Sequence, residues 1–351
     1  MKSGSPECTG ICRIVMGLAR HGGSLGYETS VLFLGDGPLV AAMKDAGIAT
    51  SVVAWTGTRR DPAGAWRLWS WLRKHPAQIV HLHHGGVAAR VISRMAGAKA
   101  VVRHVHGRVS ESSGALESQP LDMRAADAVI ACSEAVAACV RGCRAEVIYA
   151  GVETGAQPPA PAAAEGPLKL GVLARLIPLK NVEAVIEATA QLADRGIEVQ
   201  AEIAGSGPSE SSLRSLAARL GVTARVSFLG WHADVDRLLA SWDLLVIPSL
   251  EEGFGLSALE AMAAARPVVA SRVGGLGELV IDGVTGRLLP PGDTDALVGC
   301  LAELAGDRPR LARMGAEGWK RAQTHFSSEQ MARRTAELYD QLLDRRSHRT
   351  A

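Results

Sequence analysis

The sequence contains few aromatic residues, little net charge and no long apolar run. Aromatic residues make up 4% of its 351 residues, and the formal net charge is only +2. So small a charge, without a basic segment carrying interleaved aromatics, argues against nucleic acid as a partner. Because Asp127 and Glu134 interrupt the apolar stretch from residue 125 to 140, no segment is long enough to cross a bilayer. Any membrane contact would be peripheral.

Signals for export and for disulfide formation are also missing. The first ten residues, MKSGSPECTG, lack the apolar centre of a signal peptide. Six cysteines are scattered through the chain without a CxxC pair: Cys8, Cys12, Cys132, Cys139, Cys143 and Cys300. Scattered thiols of this kind are typical of a reducing compartment, so we expect a cytoplasmic protein with free thiols.

The length and the order of the elements predict two α/β domains. A chain of this length fits two cores of about 150 to 180 residues each. Short apolar strands alternate with helical patterns, which indicates parallel, doubly wound sheets. Strands are predicted at residues 29–34, 51–54, 79–82, 101–104, 128–131, 146–149, 168–173, 199–203, 225–228, 244–247 and 268–271.

The domain boundaries follow from composition. The Pro/Ala-rich segment 157–167, QPPAPAAAEGP, is the predicted linker between a first domain at 1–156 and a second at 168–326. Ser327 and Gln330 form a capping box that starts the last helix, within a C-terminal segment at 327–351. The opening residues 1–10 are polar, so we expect the first domain to lack a central strand before the helix that begins near Ile11.

The stretch from Leu244 to Ala265 most constrains the function. An apolar strand ends at Pro248, a turn contains Gly253, Phe254 and Gly255, and a helix begins near Leu256. Glycines in such a turn let the backbone approach a ligand, and the first turn of a helix favours phosphate. Glu252 and Glu260 lie on either side, separated by seven residues. Since carboxylates repel phosphate and accept hydrogen bonds from hydroxyls, the combination indicates a sugar nucleotide.

Three further segments follow predicted strands. Arg175 and Lys180 come after strand 168–173 and could converge on a phosphate, although surface charges are the ordinary alternative. Gly205 and Gly207 follow strand 199–203 in a tight turn. Gly230 and Trp231 follow strand 225–228, where the indole could either stack on a base or pack in the core.

The run EGFGLSALE resembles the glutamate-x7-glutamate motif of the retaining glycosyltransferases of family four, and the resemblance covers most of the chain. It implies the GT-B fold, in which two Rossmann-like domains with parallel sheets face each other and the C-terminal helices cross back to the first domain. It also implies transfer of a sugar from a nucleoside diphosphate to a hydroxyl of a sugar, lipid or small molecule, without a metal or other cofactor.

The resemblance also implies roles for individual residues. Glu252 would contact the donor sugar and Glu260 the ribose, and the backbone of Gly253, Phe254, Gly255 and Leu256 would hold the diphosphate. Arg175 and Lys180 would bind the β-phosphate, the glycine pair Gly205 and Gly207 would border the donor pocket, and Gly230 and Trp231 would lie beside the base. His106, after the strand at 101–104, would face the donor sugar near the reacting bond and act in catalysis.

Two patterns imitate metal sites. His81, His83, His84, His104 and His106 cluster at strand ends, but strand alternation sends neighbours to opposite faces and no carboxylate or cysteine is close in sequence. Asp234 and Asp236 imitate a metal-binding DxD pair, yet their position predicts the start of a helix. We therefore expect no metal ligands.

Two other functions remain open. A GT-B phosphorylase or epimerase would use a similar architecture, and phosphate dependence without an acceptor would identify it. If the shortened first domain has lost its acceptor site, the chain would instead be a sugar-nucleotide-binding subunit. Donor binding without transfer or hydrolysis would identify that case.

Overall fold

The computed structural model describes residues 9–57, 61–84, 86–107, 126–160, 165–232 and 234–350. The chain forms two compact units, one comprising Met1–Gly151 with Ser328–Ala351 and the other Val152–Ser327. We call these the first and the second unit. Among the described helices, none combines the length and the hydropathy needed to cross a bilayer.

The first unit contains two parallel sheets. One pairs β1 (Val31–Phe33) with β2 (Thr50–Val52), and the other has the order β3-β4-β5-β6. The strands of the larger sheet are β3 (Ile79–Leu82), β4 (Ala100–Val105), β5 (Ala128–Ala131) and β6 (Ala145–Val147). The helices between them are α1 (Thr9–Gly22), α2 (Pro38–Asp45), α3 (Pro62–Lys74), α4 (Gly86–Met95) and α5 (Glu134–Ala137).

The two sheets of the first unit are joined by side chains. Leu32 and Leu34 at β1 pack in the same hydrophobic cluster as Val80 and Leu82 of β3. The described part of the chain begins at Thr9, the first residue of α1. The predicted absence of a central strand concerns residues 1–10, of which residues 1–8 lie outside the described part of the chain.

The C-terminal helix belongs to the first unit, as the fold prediction required. This helix, α13 (Ser328–Thr350), packs along α1. A side chain at Gly17 would place Cβ 3.1 Å from the Ser328 hydroxyl oxygen, so the glycine allows the two helices to approach closely. Farther along α13, the ring of Tyr339 lies edge-on to Tyr27, with 5.3 Å between the centroids.

The second unit is one parallel sheet with helices on both faces. Its strand order is β12-β11-β10-β7-β8-β9. The strands are β7 (Leu168–Leu173), β8 (Val199–Ala204), β9 (Val226–Gly230), β10 (Leu244–Ile247), β11 (Val268–Ser271) and β12 (Gly286–Leu289). Every residue of β10 and β11 is buried, as expected for parallel strands covered on both faces.

Seven helices of the second unit surround this sheet in the described residues: α6 (Glu183–Asp194), α7 (Glu210–Arg219), α8 (Val235–Ser241), α9 (Leu256–Ala263), α10 (Leu276–Leu279), α11 (Thr294–Ala305) and α12 (Arg308–His325). The Asp234 side chain caps α8 by accepting a hydrogen bond from the Arg237 amide at 3.1 Å. The DxD pair therefore starts a helix, as its sequence position predicted.

Candidate functional site

The strand order of the second unit creates one ligand-binding position. From β7 the chain runs outward to β8 and β9, and then returns to β10 on the other side of β7. The loops that leave β7 and β10 therefore diverge at a topological switch point, where open α/β sheets bind ligands. The two loops are joined by a hydrogen bond of 2.9 Å from the Leu250 amide to the Leu179 carbonyl.

Gly205 and Gly207 permit backbone contact with the loop after β7. A Cβ on Gly205 would lie 1.8 Å from the Ala174 carbonyl oxygen, and one on Gly207 would lie 2.3 Å from that of Leu176. Both distances are far below van der Waals contact. The turn thus supports the loop that carries Arg175, whose side chain is exposed.

The loop after β10 is fixed in the same way by the loop after β11. A Cβ on Gly274 would lie 1.8 Å from the Glu252 carbonyl oxygen, and the Gly275 amide donates to the Gly253 carbonyl at 3.0 Å. The glycine pair at 274 and 275 thus positions the backbone of Glu252. A contact across two loops leaves no local signal in the sequence.

Helix α9 begins without a side-chain cap. Its N-cap, Gly255, has the left-handed backbone angle φ 95° and provides no side chain to accept the first amides. The N–H groups of the first turn, at Leu256 and Ser257, have no acceptor within a helix. The Phe254 ring is buried against Phe326, 5.9 Å between centroids, so this residue presents its backbone rather than its ring. The arrangement suits an anion.

Lys180 and Glu252 form an ion pair that the sequence did not predict. The Lys180 ammonium lies 2.6 Å from Glu252 Oε2, and the side chains are only 18% and 16% exposed. Glu252 Oε1 also accepts a hydrogen bond of 3.2 Å from the Gly253 amide. A cation and a carboxylate from different loops thus meet beside the start of α9.

The Asn181 backbone forms the turn after Lys180. Its angles, φ 49° and ψ 40°, are left-handed. Asparagine is one of the few residues that tolerate this conformation. The residue type at position 181 therefore suits the turn.

The remaining predicted donor residues have contrasting environments. Glu260 is buried in α9 at 8% exposure, which excludes a solvated helix residue. Trp231 is 43% exposed, so it is not a core tryptophan. It follows Gly230, whose carbonyl accepts a 2.7 Å hydrogen bond from the Gly205 amide. The ends of β8 and β9 are thereby linked.

His106 belongs to the first unit, beyond the end of β4. Its Nε2 lies 2.8 Å from Nδ1 of His83, and its ring stacks on His104 with 4.2 Å between centroids. Burial holds the pKa of His106 well below its usual range, and the Arg103 charge lowers this pKa further. Burial therefore favours the neutral form of this imidazole.

The histidines of β3 and β4 share one face. His81 and His83 are two residues apart, and their rings stack with 4.5 Å between the centroids. The parallel pairing of β3 with β4 places His104 beside them, and ligand nitrogens of all three lie within 4.8 Å of one another. The alternation argument against a cluster was therefore wrong for these three residues.

Together, the parallel sheets, the switch-point loops and the uncapped helix define an α/β protein whose second unit has an edge suited to an anion. Family models identify the class further. "Glycosyltransferase Family 4" matches residues 9–156 and "Glycosyl transferases group 1" matches residues 154–321. The chain belongs to glycosyltransferase family four, and its fold is GT-B.

Curated relatives share part of this chain. One is the lipopolysaccharide core biosynthesis mannosyltransferase LpsB of Rhizobium meliloti, 41% identical over 38% of this chain and 39% of its own length. Another is the MMP alpha-(1->4)-mannosyltransferase of Mycolicibacterium hassiacum, 38% identical over 48% of this chain and 42% of its own length. The chain thus matches about two fifths of these relatives.

A solved structure supports the fold over nearly the whole chain. Anabaena Alr3699/HepE in complex with UDP and glucose has a TM-score of 0.82 and 22% identity, and the match covers 97% of this chain and 98% of that one.

Proposed function

We propose that the protein transfers a sugar from a nucleoside diphosphate donor to an acceptor hydroxyl, with retention of the anomeric configuration. The observation that carries this proposal is the Lys180–Glu252 ion pair beside the uncapped start of α9. An anion site alone would need no carboxylate. A carboxylate next to the cation suits a ligand that carries diphosphate and sugar together.

The donor loops supply positive charge for the leaving group. Lys180, Arg175 and the amides at residues 253–256 bind the diphosphate, whose charge grows as the glycosidic bond breaks. Electrostatic stabilisation by groups that are already positioned is then the main contribution to rate. Because this charge comes from the chain itself, the proposal requires no divalent cation for transfer.

Donor binding also changes the partners of Glu252. Lys180 turns from the carboxylate to the phosphate oxygens, which frees Glu252 to accept hydrogen bonds from the sugar hydroxyls. Glu260 binds the ribose, and the exposed indole of Trp231 stacks on the base. His106 acts near the reacting bond as a neutral imidazole, a role that the family resemblance implies.

The comparisons support the donor class. Two of the relatives described above are named mannosyltransferases, and the Anabaena structure contains UDP and glucose. The acceptor is a sugar, a lipid or a small molecule that carries a hydroxyl.

The test is a thermal-shift screen of UDP- and GDP-sugars, followed by transfer assays with the donor that binds. A ligand at about 100 times its dissociation constant adds roughly 2.7 kcal/mol to stability. Glu252→Ala should lose the preference for the sugar nucleotide over the free diphosphate, whereas Glu251→Ala, the matched control, should keep it. Binding without transfer or hydrolysis would favour a sugar-nucleotide-binding subunit. Phosphate-dependent cleavage without an acceptor would favour a phosphorylase.

A further inference from the structure

Four imidazoles form a stack on one face of the first unit. This histidine cluster consists of His81 and His83 at β3 with His104 and His106 at β4, and the centroids of neighbouring rings are 4.2 to 5.3 Å apart. The donor site lies in the second unit, so the proposed sugar-nucleotide chemistry gives no reason for four histidines here. Only His106 has a role in that proposal.

The hydrogen bonds of the cluster are incomplete. Nδ1 of His81 lies 2.6 Å from the Tyr339 hydroxyl, and Nδ1 of His83 pairs with Nε2 of His106. Within the described residues, His81 Nε2, both nitrogens of His104 and Nδ1 of His106 are buried without a partner. A buried polar atom without a hydrogen-bond partner destabilises the folded state. A bound ligand that contacts these ring nitrogens would remove this destabilisation.

The ring nitrogens of three histidines lie close enough together to approach a single metal ion. Ligand nitrogens of His81, His83 and His104 lie within 4.8 Å of one another. A tetrahedral ion with bonds of about 2.0–2.1 Å needs its ligand nitrogens about 3.4 Å apart. The three rings are nearly parallel, with interplanar angles of 12° to 32°, so binding requires them to turn until their lone pairs converge.

The hydrogen bonds at Nδ1 of His81 and His83 resemble those of metal-bound histidines. Such residues donate their second ring N–H to a neighbouring acceptor, which fixes the tautomer. With Nδ1 protonated in both rings, the Tyr339 hydroxyl is the acceptor for His81 and Nε2 of His106 is the acceptor for His83. In that tautomer the Nε2 lone pair of each ring faces away from these contacts and is available to an ion.

The charges around the cluster select the kind of ion. The three ligands are imidazole nitrogens. Nitrogen ligands favour Zn²⁺, Ni²⁺ or Cu²⁺, whereas Mg²⁺ and Ca²⁺ require oxygen. The positive charge of Arg103 acts on His81 and His104, so it opposes any cation and limits the affinity.

We propose that His81, His83 and His104 bind one transition-metal ion of the Zn²⁺ class. The ion links β3 to β4, and through Tyr339 it links both strands to α13. Its effect is on the stability of the first unit rather than on the diphosphate.

The test is calorimetric titration of the untagged protein with Zn²⁺ and Ni²⁺, with Co²⁺ absorption to report nitrogen coordination. We expect one ion per chain and a rise in melting temperature with Zn²⁺ but not with Mg²⁺. His104→Leu should abolish binding, and His75→Leu, which removes an exposed histidine on the same unit, should not. Tyr339→Phe preserves the ring packing and should weaken binding about 10- to 100-fold.

Three results would overturn the proposal. The first is that the folded wild-type protein takes up no Zn²⁺, Ni²⁺ or Co²⁺. The second is that wild type and His104→Leu bind the ion with equal affinity. The third is that Tyr339→Phe binds the ion with unchanged affinity. If His104→Leu does not fold, Tyr339→Phe and His75→Leu still decide the matter. No sugar nucleotide is present in these titrations, so their outcome is independent of the proposed transferase activity.

Discussion

The Lys180–Glu252 ion pair gives the most direct test of the donor site, because the proposed ligand competes for the same cation. Without ligand, Lys180 Nζ is 2.6 Å from Glu252 Oε2. To bind Lys180, a nucleoside diphosphate must replace the Glu252 carboxylate as its partner. The carboxylate also repels the negatively charged diphosphate. Glu252→Gln should therefore tighten the binding of free UDP or GDP, whereas Lys180→Met should weaken it.

The magnitude follows from the exposure of the pair. Exposed pairs contribute about 0.2–1 kcal/mol, and removing one partner of a fully buried pair costs about 3–5 kcal/mol. With side chains 18% and 16% exposed, this pair lies between the two cases. We expect each single substitution to reduce the free energy of unfolding by about 1–2 kcal/mol, with a coupling energy of about 1 kcal/mol. Releasing that coupling would tighten diphosphate binding roughly fivefold.

The assay is a double-mutant cycle. Denaturant unfolding of the wild type, Glu252→Gln, Lys180→Met and the double variant gives the coupling energy, and calorimetry with UDP and GDP gives the affinities. Glu251→Gln makes the same charge change one residue away and should leave both quantities near the wild-type values. The reasoning fails if Glu252→Gln binds both diphosphates more weakly than wild type, or if the coupling energy is zero within about 0.3 kcal/mol.

Five further predictions concern the proposed transferase. Glu260→Ala should chiefly raise the donor KM, because ribose contacts exist in ground and transition states alike; an unchanged KM would remove this role. Arg175→Ala should lower kcat by about 10² to 10³. His106→Ala should lower kcat without changing the affinity for the nucleoside diphosphate. A near-wild-type kcat in either variant would contradict the role proposed for that residue. EDTA should not alter the affinity for UDP, and a dissociation constant that required Mg²⁺ or Mn²⁺ would contradict the metal-free donor site. Gly274→Ala should reduce the free energy of unfolding by about 3 kcal/mol or more. The φ of Gly274 is 49°, and a Cβ there would lie 1.8 Å from the Glu252 carbonyl oxygen. Gly277→Ala is the control and should cost little, because nothing lies within 4 Å of a Cβ at Gly277.

The sequence predicted the regular elements of the second unit well. The bounds of β7, β10 and β11 match the predicted strands, because each is a short apolar run between turn residues. It missed β12, a four-residue strand at the sheet edge that follows a glycine-rich turn. It also missed α2, whose first residue, Pro38, follows Gly-Asp-Gly and so resembles the continuation of a loop.

The candidate site was predicted residue by residue but not as a set of contacts. Turn chemistry and the family resemblance located Glu252 and Lys180 separately. Their pairing depends on β7 and β10 being neighbours in the sheet, although 72 residues separate the partners in the chain. The support of the Glu252 carbonyl by Gly274 depends on strand order in the same way. A single sequence contains no local pattern for either contact.

The donor loops differ in what fixes their backbone and what remains adjustable. Backbone contacts that only glycine allows hold Ala174 against Gly205 and Glu252 against Gly274, and the left-handed Asn181 fixes the turn after Lys180. Rigid backbone amides are already directed at the position of an anion, so they lose little entropy when one binds. The Lys180 side chain is instead held by a single ion pair that a phosphate can replace. Donor binding in the proposed transferase therefore replaces two contacts of the Glu252 carboxylate, with Lys180 and with the Gly253 amide, on a backbone that does not have to rearrange.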